Sequence, residues 1–170
     1  MPMTKFLKND KGLTLIETML SITILGIVML GVMTLFKQAY LYTVLNEDKT
    51  IGINVARNAL MYMEKQNFIE IKEKFASLGN NGQLQLLVCE HNGSARYTLI
   101  DSNTSPLSGC SDIQINDRKY NVTIETEPPK NNNSDYANYF IPLVVKVTWK
   151  HGNIEQSTQL KGVLTSEDIR

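Results

Sequence analysis

The chain has little of what most protein chemistry needs. Its two histidines, His91 and His151, stand apart, each beside an Asn-Gly or Gly-Asn pair, and they read as turn residues. There is no His-x-x-His pair, no Cys-x-x-Cys pair and no glycine-rich phosphate loop, so metal, nucleophilic and nucleotide chemistry have no visible basis. No cofactor is expected, and the chain does not read as an enzyme. Charge of one sign is also missing: 17 basic residues face 17 acidic ones. A nucleic-acid surface needs a clustered excess of Lys and Arg, so a nucleic-acid partner is not indicated. The Asn131-Asn132-Asn133-Ser134-Asp135 run offers oxygen ligands but one carboxylate, with Glu125 and Glu127 upstream. Calcium sites usually gather more acids than that, so no metal is expected. No internal repeat is found.

What is present is one long apolar run, Gly12 to Phe36, GLTLIETMLSITILGIVMLGVMTLF. From Leu13 to Phe36 it offers about two dozen residues, enough for a helix to cross a bilayer core of roughly 30 Å. A secretory signal peptide has a shorter apolar region, of about 7–15 residues, followed by a small-x-small cleavage site. Val32-Met33-Thr34-Leu35-Phe36 offers no such site. A plain signal anchor fits the length but leaves Glu17, the one charge in the run, unexplained. A carboxylate in such a segment costs roughly 2.5–3.5 kcal/mol unless paired, which marks it as functional.

Lys5, Lys8 and Lys11 precede the run, and Gly12 directly abuts it. The series Gly12-Leu13-Thr14-Leu15-Ile16-Glu17 resembles the start of the type IV pilin and pseudopilin family, which has glycine, phenylalanine, threonine, leucine, isoleucine and glutamate. Leu13 departs from the family's phenylalanine; with the modest length it points towards a minor subunit. The resemblance in segment layout covers about the first third of the chain. It implies a leader, residues 1–12, cut after Gly12 by a prepilin peptidase, and N-methylation of Leu13. It also implies pairing of Glu17 with the terminal ammonium of a neighbouring subunit. The partners it implies are other pilin or pseudopilin subunits, the peptidase, an inner-membrane assembly platform and membrane lipid. Three lysines lie before the run and Lys37 alone lies directly after it, so the positive-inside bias keeps the N-terminus cytoplasmic. The remainder is then extracytoplasmic, in a surface or periplasmic filament. Without residues 1–12 the chain keeps 14 basic and 16 acidic residues.

The helix is expected to continue past Phe36 to about residue 66. No proline interrupts Lys37–Gln66, and Gly52 is its only glycine. Leu41, Val44, Leu45, Ile51, Val55, Ala59, Leu60 and Met63 recur near helical spacing, with Asn46, Glu47, Asp48, Lys49, Asn54, Arg57 and Asn58 between them as a polar face. A helix over residues 13–66 would be about 80 Å long. Tyr40 and Tyr42 fall where it should leave the membrane, as an interfacial aromatic belt would. Residues 67–79 read as a turn or second helix with Phe68, Ile71 and Phe75 on one face.

Residues 67–170 then form a globular domain. Strands are expected over Gln83–Glu90, Arg96–Asp101, Lys119–Thr126 and Leu143–Lys150, where apolar and polar residues alternate. His151-Gly152-Asn153 turns the chain into a hairpin partner, Ile154–Leu164. Pro128–Asn138 reads as a long exposed loop. The expected fold is α+β: a long N-terminal helix, transmembrane over residues 13–36, packed at its far end on a small antiparallel sheet like a lollipop. Cys89 and Cys110 flank a Gly-, Ser- and Asn-rich segment. A disulfide between them is chemically permitted outside the cytoplasm, with two reduced thiols as the alternative.

Two functions compete. One is a structural subunit of a pilus, a type II secretion pseudopilus or a DNA-uptake filament. The other is a membrane-anchored extracytoplasmic binding module that never assembles. Gly12 and Glu17 favour the first.

Overall fold

A computed structural model describes residues 14–79, 82–91, 93–102, 104, 108–127 and 134–169. The leader, Gly12, Leu13 and the Asn131–Asn133 run lie outside the described residues. Two compact units meet between Val44 and Leu45.

The N-terminal unit is helical. Helix α1 spans Leu15–Glu64 without interruption, as expected from a stretch that lacks proline. Up to Thr43 every described side chain is exposed, including Leu15, Ile16, Ile27, Leu30, Met33 and Phe36. This is the one described helix long and apolar enough to cross a membrane.

The second unit carries the last turns of α1, helices α2 (Phe68–Leu78) and α3 (Ser134–Tyr139), and seven strands. The strands are β1 (Gln83–His91), β2 (Ser94–Asp101), β3 (Cys110–Ser111), β4 (Ile113–Ile115), β5 (Arg118–Thr126), β6 (Phe140–His151) and β7 (Ile154–Thr165). Every pairing is antiparallel, in the order β2-β1-β5-β6-β7, with β3 beside β1 and β4 beside β5. The long strands follow the expected alternation. Tyr120, Val122 and Ile124 of β5, and Leu143, Val145, Val147 and Trp149 of β6, are buried on one face. Two-residue turns close the β4–β5 and β6–β7 hairpins. Asn116 and Asp117 both adopt positive φ, 49° and 61°, as a turn matched to strand twist requires.

The core lies between that sheet face and two helices. α2 buries Phe68, Ile71 and Phe75, and Asn67 caps it by accepting a hydrogen bond from the Glu70 amide at 3.1 Å. α1 buries Asp48, Gly52, Val55, Ala56, Ala59 and Met63, one stripe at helical spacing. Half of that stripe is glycine or alanine, so the helix backbone comes close to the sheet and larger side chains fill in from the strands. Gly52 lies against the Trp149 indole, and Gly162 of β7 lies under the Leu60 side chain.

Three expectations are corrected. Asp48 belongs to the buried stripe and not to the polar face, because strand residues supply it with charged partners. Of the expected Pro128–Asn138 loop, residues 134–138 belong to α3, where the Tyr136 ring stacks on Phe140 at 4.8 Å, and residues 128–133 lie outside the described residues. His91 and His151 end strands β1 and β6; the turn after His151 is Gly152-Asn153. Cys89 and Cys110 are directly opposed on β1 and β3 and are disulfide-bonded, which joins a two-residue strand to the sheet.

Candidate functional site

The N-terminal unit is built to make one residue chemically distinct. α1 starts after Thr14. The Glu17 amide donates to the Thr14 carbonyl at 3.1 Å and lies 3.4 Å from Thr14 Oγ1. Thr14 and Glu17 thus hold the first and last places of a Thr-x-x-Glu capping pattern, a signal that the sequence itself carries. A carboxylate in the first turn also faces the positive end of the helix dipole. So Glu17 sits where a helix tolerates an anion best.

Further along, the hydroxyls are satisfied within the helix. Thr18 Oγ1 donates to the Leu15 carbonyl at 2.8 Å, Ser21 Oγ to Glu17 at 2.7 Å, Thr23 Oγ1 to Met19 at 2.8 Å and Thr34 Oγ1 to Gly31 at 2.6 Å. A hydroxyl that bonds its own helix backbone presents little polarity outward, which lets it stay in an apolar segment. Glu17 differs. Its carboxylate has no hydrogen-bond or ion-pair partner among the described residues. Around it, Leu15, Ile16, Met19 and Leu20 are all more than half exposed.

A membrane-length helix, apolar on all sides and carrying near its start one acid with no partner among the described residues, is the element that the comparison with known families picks out. The model of the prokaryotic N-terminal methylation motif matches residues 7–33. The chain is type IV pilin-like at its N-terminus. Gly12 and Leu13 fall within the matched segment, as do Glu17 and most of the apolar run. No curated protein and no solved structure matches the chain. The pilin motif points to a structural protein and not to an enzyme, and it implies prepilin peptidase and other pilin subunits as partners. With the apolar helix near the N-terminus, it suggests a membrane-anchored, filament-forming protein.

In the second unit, the residues that converge are not those a motif search picks out. Asp48 Oδ2 accepts a hydrogen bond from Arg118 Nη1 and lies 2.9 Å from His151 Nδ1. Arg118 Nη1 also contacts His151 Nδ1. The three residues come from α1, the start of β5 and the end of β6. Nothing in their sequence spacing pointed to this. Only the sheet register, which aligns the tips of the β4–β5 and β6–β7 hairpins, brings them together. Beside them, burial pushes the Tyr120 phenol above its ordinary pKa. The Asp48 charge adds to that rise, the Arg118 charge opposes it, and Glu47 adds slightly.

Proposed function

We propose that this chain is a minor structural subunit of a type IV pilus or of a related type II secretion or DNA-uptake filament. The supporting observation is that the one acid of the apolar run, Glu17, lies inside the segment matched by the methylation motif, on a helix whose side chains are exposed from Leu15 to Thr43. On this reading a prepilin peptidase cuts after Gly12. Glycine suits that place because it puts no side chain in a protease cleft. Leu13 becomes the N-methylated terminus. The sheet-bearing unit lies outside the cytoplasm, with lipid around residues 13–36 until an inner-membrane platform draws the subunit into the filament.

Glu17 then acts in assembly. In lipid its carboxylate takes up a proton or draws water inward. In a bundle of staggered helices it meets the new ammonium of a neighbour's first residue. Such a pair is strong only when both partners are present, because losing one leaves a bare charge in a low-dielectric surrounding. The pair therefore selects correct alignment more than it adds stability.

The test is the N-terminus of membrane-extracted protein. Sequencing should begin at Leu13, with the added mass of a methyl group. A chain still starting at Met1 in cells with an active prepilin peptidase overturns the reading.

One observation favours the alternative, an anchored binding module. Lys119 and Asn121 alternate with buried Tyr120 and Val122, so they lie on the sheet face away from the core. There they border a groove of about 450 Å³ with Asp112, Thr148, Lys150 and Glu155. A module that only bound a ligand would keep its leader.

A further inference from the structure

Counted from Leu15, Asp48 is the first residue of α1 to be buried, with 4% of its surface exposed. The contact that begins the packing of α1 on the sheet is therefore ionic. Its geometry poses a question of protons. His151 Nδ1 faces a donor, Arg118 Nη1, and an acceptor, Asp48 Oδ2 at 2.9 Å. One ring nitrogen cannot serve both. It accepts from Arg118 only when bare, and it donates to Asp48 only when it carries a proton.

Each state gives both Nδ1 and Asp48 Oδ2 a partner. With Nδ1 bare and the proton on Nε2, the two hydrogens of Arg118 Nη1 go to Asp48 Oδ2 and to His151 Nδ1. Arg118 then bridges the acid and the imidazole. In the imidazolium, Nδ1–H donates to Asp48 Oδ2 directly. The guanidinium is now a like charge beside the ring, and the Arg118–His151 bond is lost. Asp48 keeps a donor throughout, so the buried carboxylate is never left bare, the state that would cost most.

We propose that His151 is a proton-operated exchange point, which passes from accepting a hydrogen bond from Arg118 to donating one to Asp48 when the imidazole is protonated. The charged and titratable groups around it support this. α1 presents Asp48 and Glu47, and β5 presents Arg118 and the buried Tyr120 phenol. Across the hairpin, the register partner on β7 is Ile154, which brings no charge. Lys150 and Asp117, next along the chain to His151 and Arg118, border a groove that Arg118 itself also lines. Asp48 is thus the acceptor aimed at Nδ1 and Arg118 the donor. The hydrogen bonds that tie α1 to the two hairpin tips then follow the proton concentration around the protein. This inference rests on the geometry of the cluster and is independent of filament assembly.

The test uses the full chain in detergent micelles with ¹⁵N-labelled imidazoles and His91→Asn, which leaves His151 as the single ring. The ¹⁵N shifts are followed from about pH 5 to 8, the range in which histidine ordinarily titrates. In the neutral ring Nδ1 should show the shift of a bare acceptor, with the proton on Nε2. In the charged ring both nitrogens should be protonated. A neutral ring that carries its proton on Nδ1 throughout overturns the proposal. Arg118→Met gives a second readout: with the donor gone and Asp48 still present, the neutral ring should move to the Nδ1–H form. An unchanged tautomer in that variant also overturns it.

Discussion

Gly52 of α1 and Trp149 of β6 are in direct contact, backbone against ring. A Cβ placed on Gly52 would stand 2.6 Å from Trp149 Cζ3, inside any normal contact distance. Trp149 is only 3% exposed, and its ring is not the far end of a flexible side chain. Alanine is the better helix former by about 1 kcal/mol. Overpacking a closed core costs roughly 1–3 kcal/mol. The second effect is expected to win, so Gly52→Ala should lower stability by about 1 kcal/mol. Gly26→Ala is the control. Nothing lies within 4 Å of that position, so it should show no loss. Urea midpoints of the two variants in detergent would check this.

Tyr120 should control part of the alkaline behaviour. Its hydroxyl is buried and has no hydrogen-bond partner among the described residues, and burial raises its pKa. A raised pKa means that the folded state holds this proton more tightly than the unfolded chain does. The resulting stability is fully present below the unfolded value of about 10 and is lost as pH rises through the folded value. Tyr120→Phe should flatten that alkaline loss. At neutral pH it should change stability by less than about 1 kcal/mol, because the deleted hydroxyl had no bond to lose. Some slope should remain, since burial also raises the Tyr62 phenol. Thermal melts from neutral to alkaline pH would show both effects.

The Cys89–Cys110 bridge spans a sequence separation of 21. Closing a loop of that size restricts the unfolded chain by about 3 kcal/mol in the chain-entropy model. Replacing both cysteines by serine should cost a comparable amount and release β3, which pairs with β1 through just two residues. Native exported protein treated with an alkylating agent, without reductant, should label at neither cysteine. Labelling at both would remove the bridge from the native state.

Glu17→Val should separate membrane insertion from assembly. The helix becomes more apolar, so the variant should insert and be processed, and its sheet should fold. It should enter filaments poorly or fail to support their initiation. Sheared filaments compared with the membrane fraction of the same cells give the measurement. Normal incorporation alongside normal processing would remove the pairing role.

The parts of this fold that alternate or repeat were legible in the sequence. α1, α2 and the five long strands lie within a few residues of where apolar spacing put them. That spacing reports which side chains avoid water, and these elements are long enough to repeat it. β3 and β4 are two and three residues long, too short for any period. α3 follows a proline- and asparagine-rich stretch whose composition masked the Tyr136–Phe140 stack. By sequence alone Asp48 belongs to the polar face, because the sequence does not show that Arg118 and His151 arrive from strands far along the chain. Glu17 was legible for the opposite reason: a single charge in a long apolar run stands out without any tertiary knowledge. Its cap, Thr14, was available from the same residues.

Gly162 has a consequence for how the β6–β7 hairpin is checked. The two strands pair through twelve consecutive positions, from Phe140↔Thr165 to His151↔Ile154. A slip of one residue would turn β7 inside out, but a slip of two would keep each side chain on its own face. The hairpin's alternation alone therefore distinguishes poorly between the correct ladder and one displaced by two. The helix above it distinguishes them well. Leu60 occupies the space that a side chain at Gly162 would need. A two-residue slip would bring Leu160 or Leu164 beneath it. The docked helix can close over only one alignment of the strands, so its second half proofreads the hairpin as well as covering it.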